Sequence, residues 1–263
     1  MPCSCASIRR HILKKLLFAD LDDTLFQSHR KVTPGAGWEP LAYLRDGQPI
    51  SYASPQQQAL LSFLLQETTL IPVTARNHDA FSRVRIPFPA QAIINYGGVI
   101  LEENGTPEAE WLEASRVSAQ GCADNMRTCI DALERENAVL GGDAHIRLIS
   151  DYSIPFYVVA KSTSGDIALI ASLYRYCRDA MASGSLPDLT LHNNHNNLAL
   201  IPRWLDKQNA VSHLRRRYEA TYGPVLTFGM GDSQVDLNFM RACDYQIIPA
   251  GSQIAVCLEG SLA

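Results

Sequence analysis

Leu16-Leu17-Phe18-Ala19-Asp20-Leu21-Asp22-Asp23-Thr24-Leu25-Phe26 is the stretch from which the fold is read. It opens as a short apolar run and then meets aspartates. A continuous apolar run suits a strand buried on both faces of a parallel sheet. Open parallel sheets place their chemistry in the loops at the carboxyl ends of the strands. Asp20 and Asp22, on alternate positions, direct two carboxylates into one crevice. Two unit charges ~4 Å apart repel by about 4 kcal/mol at an effective dielectric of about 20, so the pair asks for a cation.

Outward from this stretch, similar strands recur. Residues 69–73 end at Thr74-Ala75-Arg76, and residues 92–95 end at Tyr96-Gly97-Gly98. Residues 225–228 run into Gly229-Met230-Gly231-Asp232-Ser233-Gln234-Val235-Asp236, which adds carboxylates across a glycine-rich loop opening a helix over 235–243. A strand over 245–248 follows. Oxygen-only ligands of this kind suit Mg²⁺, with waters and a substrate phosphate completing an octahedron. Ser54-Pro55-Gln56-Gln57 reads as a capped helix start, with proline at the first helical position. Before it, residues 28–53 form an extended loop in which 41–44 and 49–52 suit a hairpin. This loop is a candidate flap, with Trp38 or Tyr43 facing substrate.

Between 105 and 198 the pattern changes to helix, strand, strand, twice: a helix near 115–138, strands at 145–152 and 155–161, a helix near 165–182, strands at 189–192 and 198–201. After it a helix begins at Lys207 and the alternation returns. The expectation is α/β: a Rossmann-like three-layer core with a parallel sheet (1–104 and 199–263), carrying an inserted α+β unit of αββαββ order (105–198).

Composition narrows the function classes. The chain has 263 residues, 46% hydrophobic and 19% charged, ordinary for a globular protein, and its formal net charge of −4 offers no basic field for nucleic acid. Arg215-Arg216-Arg217 reads as a solvated helix face. No apolar stretch approaches the ~20 residues that span a bilayer. The run near the N-terminus (Arg9, Arg10, then 12–19) is broken by Lys14 and Lys15 and lacks a small-residue cleavage site, so a cytoplasmic protein without membrane contact is expected. Seven cysteines at irregular spacing, with Cys3-x-Cys5 lacking a second pair, read as reduced thiols.

Asp20-x-Asp22-x-Thr24, Thr74, Lys207 and Gly231-Asp232-x-x-x-Asp236, in this order, resemble the four motifs of the haloacid dehalogenase superfamily of phosphohydrolases. The insertion resembles the type IIB cap of its Cof-type, sucrose-phosphatase-like branch. Asn95-Tyr96-Gly97-Gly98 before it, and Ile201-Pro202 with Asp206-Lys207 after it, look like the same branch. The resemblance implies a Mg²⁺-dependent phosphatase that hydrolyses a small phosphate monoester through an aspartyl-phosphate. A sugar or polyol phosphate is the expected substrate. It places Asp20 as nucleophile and Asp22 as general acid and base. Asp20, Asp232, Asp236 and the backbone carbonyl of Asp22 fall to the metal, and Thr74 and Lys207 to the phosphoryl oxygens. The implied partner is a small phosphorylated metabolite, not nucleic acid or membrane, and the chain is expected to be a monomer or weak homodimer.

Other residues keep two readings. Arg76 is a substrate contact or a surface charge, Thr74 is a phosphoryl contact or a strand-end turn former, and Gly97 and Gly98 are candidate substrate contacts. Thr24 is structural within its loop, Asp23 solvated or bonded to the loop. Ser233 caps the next helix or touches substrate. His192-Asn193-Asn194-His195-Asn196-Asn197 places His192 and His195 either at substrate or in a tight turn, for which asparagine is suited. Val235 departs from the branch, which usually has asparagine there, and weakens the metal role of Asp236. The rival classes are a phosphoryl-transferring mutase, whose relatives carry a small helical cap after the first motif, and a non-catalytic binding member of the fold.

Overall fold

The computed structural model describes residues 13–260, and the readings of Arg9, Arg10, Cys3 and Cys5 lie outside them. The chain starts with β1 (Lys14–Ala19), then β2 (Gln27–Ser28), β3 (Glu39–Tyr43) and β4 (Pro49–Ala53). Helix α1 (Pro55–Glu67), strand β5 (Thr69–Pro72), the single-turn helix α2 (His78–Phe81), and strands β6 (Ala92–Ile94) and β7 (Val99–Leu101) follow. Helices α3 (Ala109–Gln120) and α4 (Ala123–Val139), strands β8 (Ala144–Asp151) and β9 (Ile154–Ser162), helix α5 (Ile167–Ala182), and strands β10 (Leu189–Asn194) and β11 (Asn197–Pro202) make up the middle. The chain closes with α6 (Lys207–Tyr222), β12 (Val225–Met230), α7 (Leu237–Arg241), β13 (Tyr245–Ile247) and α8 (Gln253–Gly260).

The order β13-β12-β1-β5 makes one parallel sheet, joined to β6 by a bridge between Val73 and Ile93. In β1 the last four residues are buried, while Lys14 and Lys15 lie exposed at its start, which is why lysines interrupt that apolar run. Ala19 pairs with Met230 on one side and Pro72 on the other, so three strands end level. The ladder then fixes the loops. Asp20 donates its N–H to the Met230 carbonyl, and Val73 donates to Ala19. First, second and fourth motifs therefore meet at one sheet edge.

A second sheet, β10-β11-β9-β8, is antiparallel throughout. Period-two alternation divides its faces. Val158, Ala160, Leu198 and Leu200 pack with Cys129 and Leu133 of α4 and Ile170 and Leu173 of α5. Tyr157, Val159, Ala199 and Ile201 turn to the other side, with Ile94, Tyr96 and Val99. Strands β2, β4 and β3 form a third, small sheet beside the parallel one. The expected capping box at Ser54 is present, Ser54 and Gln57 exchanging side-chain to backbone bonds of 3.2 and 3.0 Å.

Two expectations need correction. The single helix near 115–138 is two, broken at Gly121-Cys122. Glycine is a poor helix interior residue, and the halves face different partners. Trp111 and Ser115 of α3 donate to the carbonyls of Gly97 and Gly98 at 2.9 and 2.8 Å, whereas α4 packs on the second sheet. The helix expected at 235–243 is a short 3₁₀ turn followed by only five residues of α7. The arginine run is a solvated face with ion pairs at two of its positions: Arg216 is exposed, while Arg215 pairs with Glu219 and Asp244, and Arg217 with Glu102 and Glu108. No helix among the described residues is long and apolar enough to cross a membrane, and Cys122, Cys129, Cys177 and Cys243 form no disulfide.

Gly97 and Gly98 hold the start of α6 close to the parallel sheet. Gly97 has φ +96, and a Cβ there sits 2.6 Å from the Asp206 carbonyl oxygen. At Gly98 a Cβ meets the buried Phe156 ring at 2.4 Å and Leu205 at 2.9 Å. Gly98→Ala is expected to destabilise the fold by about 1–3 kcal/mol, the usual cost of overpacking. A urea midpoint equal to wild type contradicts this packing.

Candidate active site

Three buried aspartates converge where the strands end. Single oxygens of Asp20, Asp232 and Asp236 lie within 4.8 Å of one another. Lys207, at the first position of α6, reaches across: its Nζ donates to Asp20 Oδ1 and to Asp236 Oδ1, each at 2.6 Å. Asp206 caps that helix, accepting from Gln208 N–H at 2.8 Å, and thereby fixes where Lys207 begins. Asp236 is oriented by Ser233, whose N–H and hydroxyl donate to Oδ2 at 3.1 and 2.6 Å. Ser233 thus does cap the turn that follows. Asp236 is held by these bonds and by Lys207, with Val235 half-buried at the cavity wall beside it.

The electrostatics follow from burial. Burial alone lowers a lysine, yet Asp20 and Asp236 outweigh it and hold Lys207 above its ordinary range. Burial pushes the Asp20 carboxyl up; Lys207 opposes this, and Asp236 and Asp232 add to it. Burial, then Asp236 and Asp23, push Asp232 up to about 7. Three carboxylates and one lysine leave the cluster short of positive charge.

Asp22 sits apart from that cluster. Its carboxylate takes two parallel bonds from Arg76, Nε to Oδ2 and Nη2 to Oδ1, both 2.7 Å. Such fork-to-fork pairing is the strongest common form of ion pair. Arg76 is further fixed by the Ala80 carbonyl at 3.3 Å and by the Phe26 ring at 5.2 Å. Its side chain is 14% exposed, which excludes the surface-charge reading. Thr74 is buried, and its hydroxyl accepts the Arg76 N–H at 3.1 Å. Thr24 donates to Asp232 Oδ1 at 3.4 Å, linking the first loop to the fourth, and Asp23 is ion-paired to Lys31.

These residues open on a cavity of about 1080 Å³ between the parallel sheet, the small sheet and the second sheet. Asp20, Asp22, Thr74, Arg76, Lys207, Asp232, His192 and His195 line it. Gly97 and Gly98 do not, and their contacts are the packing ones above; Tyr96 lines the cavity in their place. His192 is well placed: its Nδ1 bonds the Tyr96 hydroxyl at 2.8 Å, and its buried Nε2 has no partner. Burial and then the Lys207 charge push His192 down to about 4, so it is neutral at pH 7. His195 is exposed at the hairpin tip with φ 54, the turn position its asparagine neighbours suggested. The 28–53 segment reaches the cavity through Ser28, Arg30, Lys31, Arg45 and Ile50, not through Trp38 or Tyr43.

Sequence reading missed the Asp22–Arg76 pair, which joins two loops 54 residues apart. It also missed Arg147 and Lys161 at the cavity wall. Their odd-numbered places on adjacent expected strands, matching Tyr157 and Val159, were the available signal.

No family model matches the sequence, and no curated protein matches it. Solved structures do resemble the fold. The C-terminal domain of trehalose-6-phosphate phosphatase from C. albicans is 15% identical with a TM-score of 0.57, over 88% of this chain and 74% of that one. A C-terminally truncated IMP-nucleotidase from Plasmodium falciparum is 11% identical with a TM-score of 0.55, over 95% of this chain and 71% of that one. At such identities it is the fold that is shared. The chain shares the fold of these structures, a Rossmann-like α/β core built on a parallel sheet with an added antiparallel α+β sheet.

Proposed function

We propose that this protein is a Mg²⁺-dependent phosphatase acting on a small phosphate monoester through a phosphorylated Asp20. The observation that carries the reading is the buried set of Asp20, Lys207, Asp236 and Asp232 at the carboxyl edge of the parallel sheet. Two proteins of this fold, one named a trehalose-6-phosphate phosphatase and the other an IMP-nucleotidase, support it.

The residues fit a hard divalent cation. Asp20, Asp232 and Asp236 offer only oxygens, and their burial and mutual repulsion leave negative charge that Lys207 alone does not balance. These carboxylates would hold Mg²⁺, which supplies charge neutralisation for a bound phosphate dianion. An Asp20 oxygen attacks phosphorus, the P–O bond to the leaving group breaks, and the departing oxygen takes a proton from Asp22. Water then attacks the aspartyl-phosphate, gives its proton to Asp22 and restores Asp20, splitting one difficult displacement into two. Arg76 engages both oxygens of Asp22, the group that accepts the proton in the second step. Donation in the first step requires that pair to open and Asp22 to have gained its proton, from solvent or from the entering monoanionic ester; the proton taken from water in the second step regenerates that form. Lys207 and the Thr74 hydroxyl face the phosphoryl oxygens, where positioned charge gives most of the help in phosphoryl transfer.

We assign residues 1–104 and 199–263 to the catalytic core and 105–198 to a cap that, with the 28–53 flap, recognises the leaving group. The partner is then a small phosphorylated metabolite, of the sugar or polyol class.

Hydrolysis of p-nitrophenyl phosphate is expected to vanish after exhaustive treatment with EDTA and to return with Mg²⁺. Full activity in EDTA sinks the metal assignment. Stability follows the same chemistry. Asp232 is raised in the fold, so without metal its contribution is lost as pH climbs from the unfolded carboxylate value, about 4, through about 7. The rise in Tm on adding Mg²⁺ is therefore expected to be larger near pH 8 than near pH 5. An equal rise at both contradicts ligation by these carboxylates.

A further inference from the structure

The part of the cavity wall formed by the second sheet and the flap carries charge that the reaction does not use. Five of the eight lysines and arginines lining the cavity have an acidic partner: Lys207 has Asp20 and Asp236, Arg76 has Asp22, Lys31 has Asp23, and Arg45 and Arg83 share Asp79. Arg30, Arg147 and Lys161 are the exceptions. Among the described residues none of their side chains makes an ion pair or hydrogen bond.

They come from two sheets and meet at one wall. Arg147 of β8 pairs across the ladder with Val159, and Lys161 of β9 lies two residues beyond it, so both share the face of Tyr157 and Val159. Arg30 follows β2 and approaches from the flap side. Burial, with the charges of Arg30 and Arg147, lowers Lys161 from its ordinary value, so the three cations sense one another. Thr163, Ser164 and Asn197 border them, and Asn197 Oδ1 is buried without a partner. Three cations gathered on a concave surface, none with an ion-pair partner, form an anion site.

We infer that the substrate is a phosphate monoester with a second anionic group at its remote end, a carboxylate or another phosphate, received by Arg30, Arg147 and Lys161. This rests on the phosphatase reading for which end reacts. It refines the sugar or polyol class to acidic members. The product of such an enzyme keeps one anion, so a reaction that installs a phosphate on an already acidic metabolite must supply the substrate.

Three esters of similar size test it: glucose 6-phosphate, 6-phosphogluconate and glucose 1,6-bisphosphate. kcat/KM with Mg²⁺ is expected to be at least about tenfold higher for one or both doubly anionic esters, the scale of one charge-assisted contact. Preference for the first of them assigns a carboxylate, preference for the second a phosphate. In Arg147→Gln/Lys161→Gln that ratio is expected to fall toward unity, and Arg30→Gln, outside the second sheet, gives the same direction should the double variant fold poorly. Equal kcat/KM for all three esters overturns the second site while leaving the phosphatase reading intact. A preference that the variants retain overturns it as well. Should no ester turn over, calorimetric binding decides. Tighter binding of doubly anionic esters, lost in the variants, supports the site while the phosphatase reading fails; equal or absent binding overturns both.

Discussion

Asp20→Asn is expected to lower turnover of p-nitrophenyl phosphate by a factor on the order of 10⁴ or more, because the amide cannot attack phosphorus. The fold is expected to survive. Asp20 is one of three buried carboxylates, and Lys207 keeps Asp236 at 2.6 Å when Asp20 loses its charge. Removing one like charge from a crowded buried set relieves repulsion, so the metal-free variant is expected to melt no lower than wild type. Steady-state kinetics beside a melting curve checks both halves. An active variant means another residue attacks. An unfolded one means the Asp20–Lys207 bond is structural first.

Asp22→Asn is expected to separate the two half-reactions. General acid and base help is worth ~10²–10⁴-fold. The loss should be of that size for an alkyl phosphate, whose leaving oxygen needs a proton. With nitrophenolate, a good leaving group, the first step should survive and the second should stall for want of a base. A burst of nitrophenolate followed by slow turnover is the expected trace. Equal loss on alkyl and aryl esters, with no burst, makes Asp22 an anchor for Arg76 and nothing more. The two bonds of 2.7 Å between them make that a real alternative.

The parts of this molecule legible in its sequence are those governed by short range. The buried run before Asp20, the capping box at Ser54 and the αββ order of the middle need only periodicity and turn chemistry, and the strands stand where those patterns put them. The convergence of Asp20 with Asp232 and Asp236 was read through motif order. Its geometric basis, three strands ending level, is a matter of register and had to be seen. What failed to show depends on contacts across the fold. Nothing local tells that Asp22 meets Arg76, or that Gly98 is small because Phe156 lies against it. The break at Gly121 was missed because helical propensity on both sides is good. The helix stops there since its halves pack on opposite faces of the second sheet, α3 beside Tyr157 and Val159 and α4 beside Val158 and Ala160. Lys31, bridging Asp23 to Asn194 of the hairpin at 2.8 Å, belongs to the same class of residue.

The most direct test of Asp20 as the phosphoryl acceptor uses the variant that should stall after the first step. Asp22→Asn is mixed with p-nitrophenyl phosphate and Mg²⁺, quenched in acid within the burst, digested and analysed by mass spectrometry. One phosphoryl group on the peptide that contains Asp20, removed by hydroxylamine as an acyl phosphate should be, is the expected result. Phosphate on a different residue, or an unmodified Asp20 peptide despite a measured burst, contradicts it.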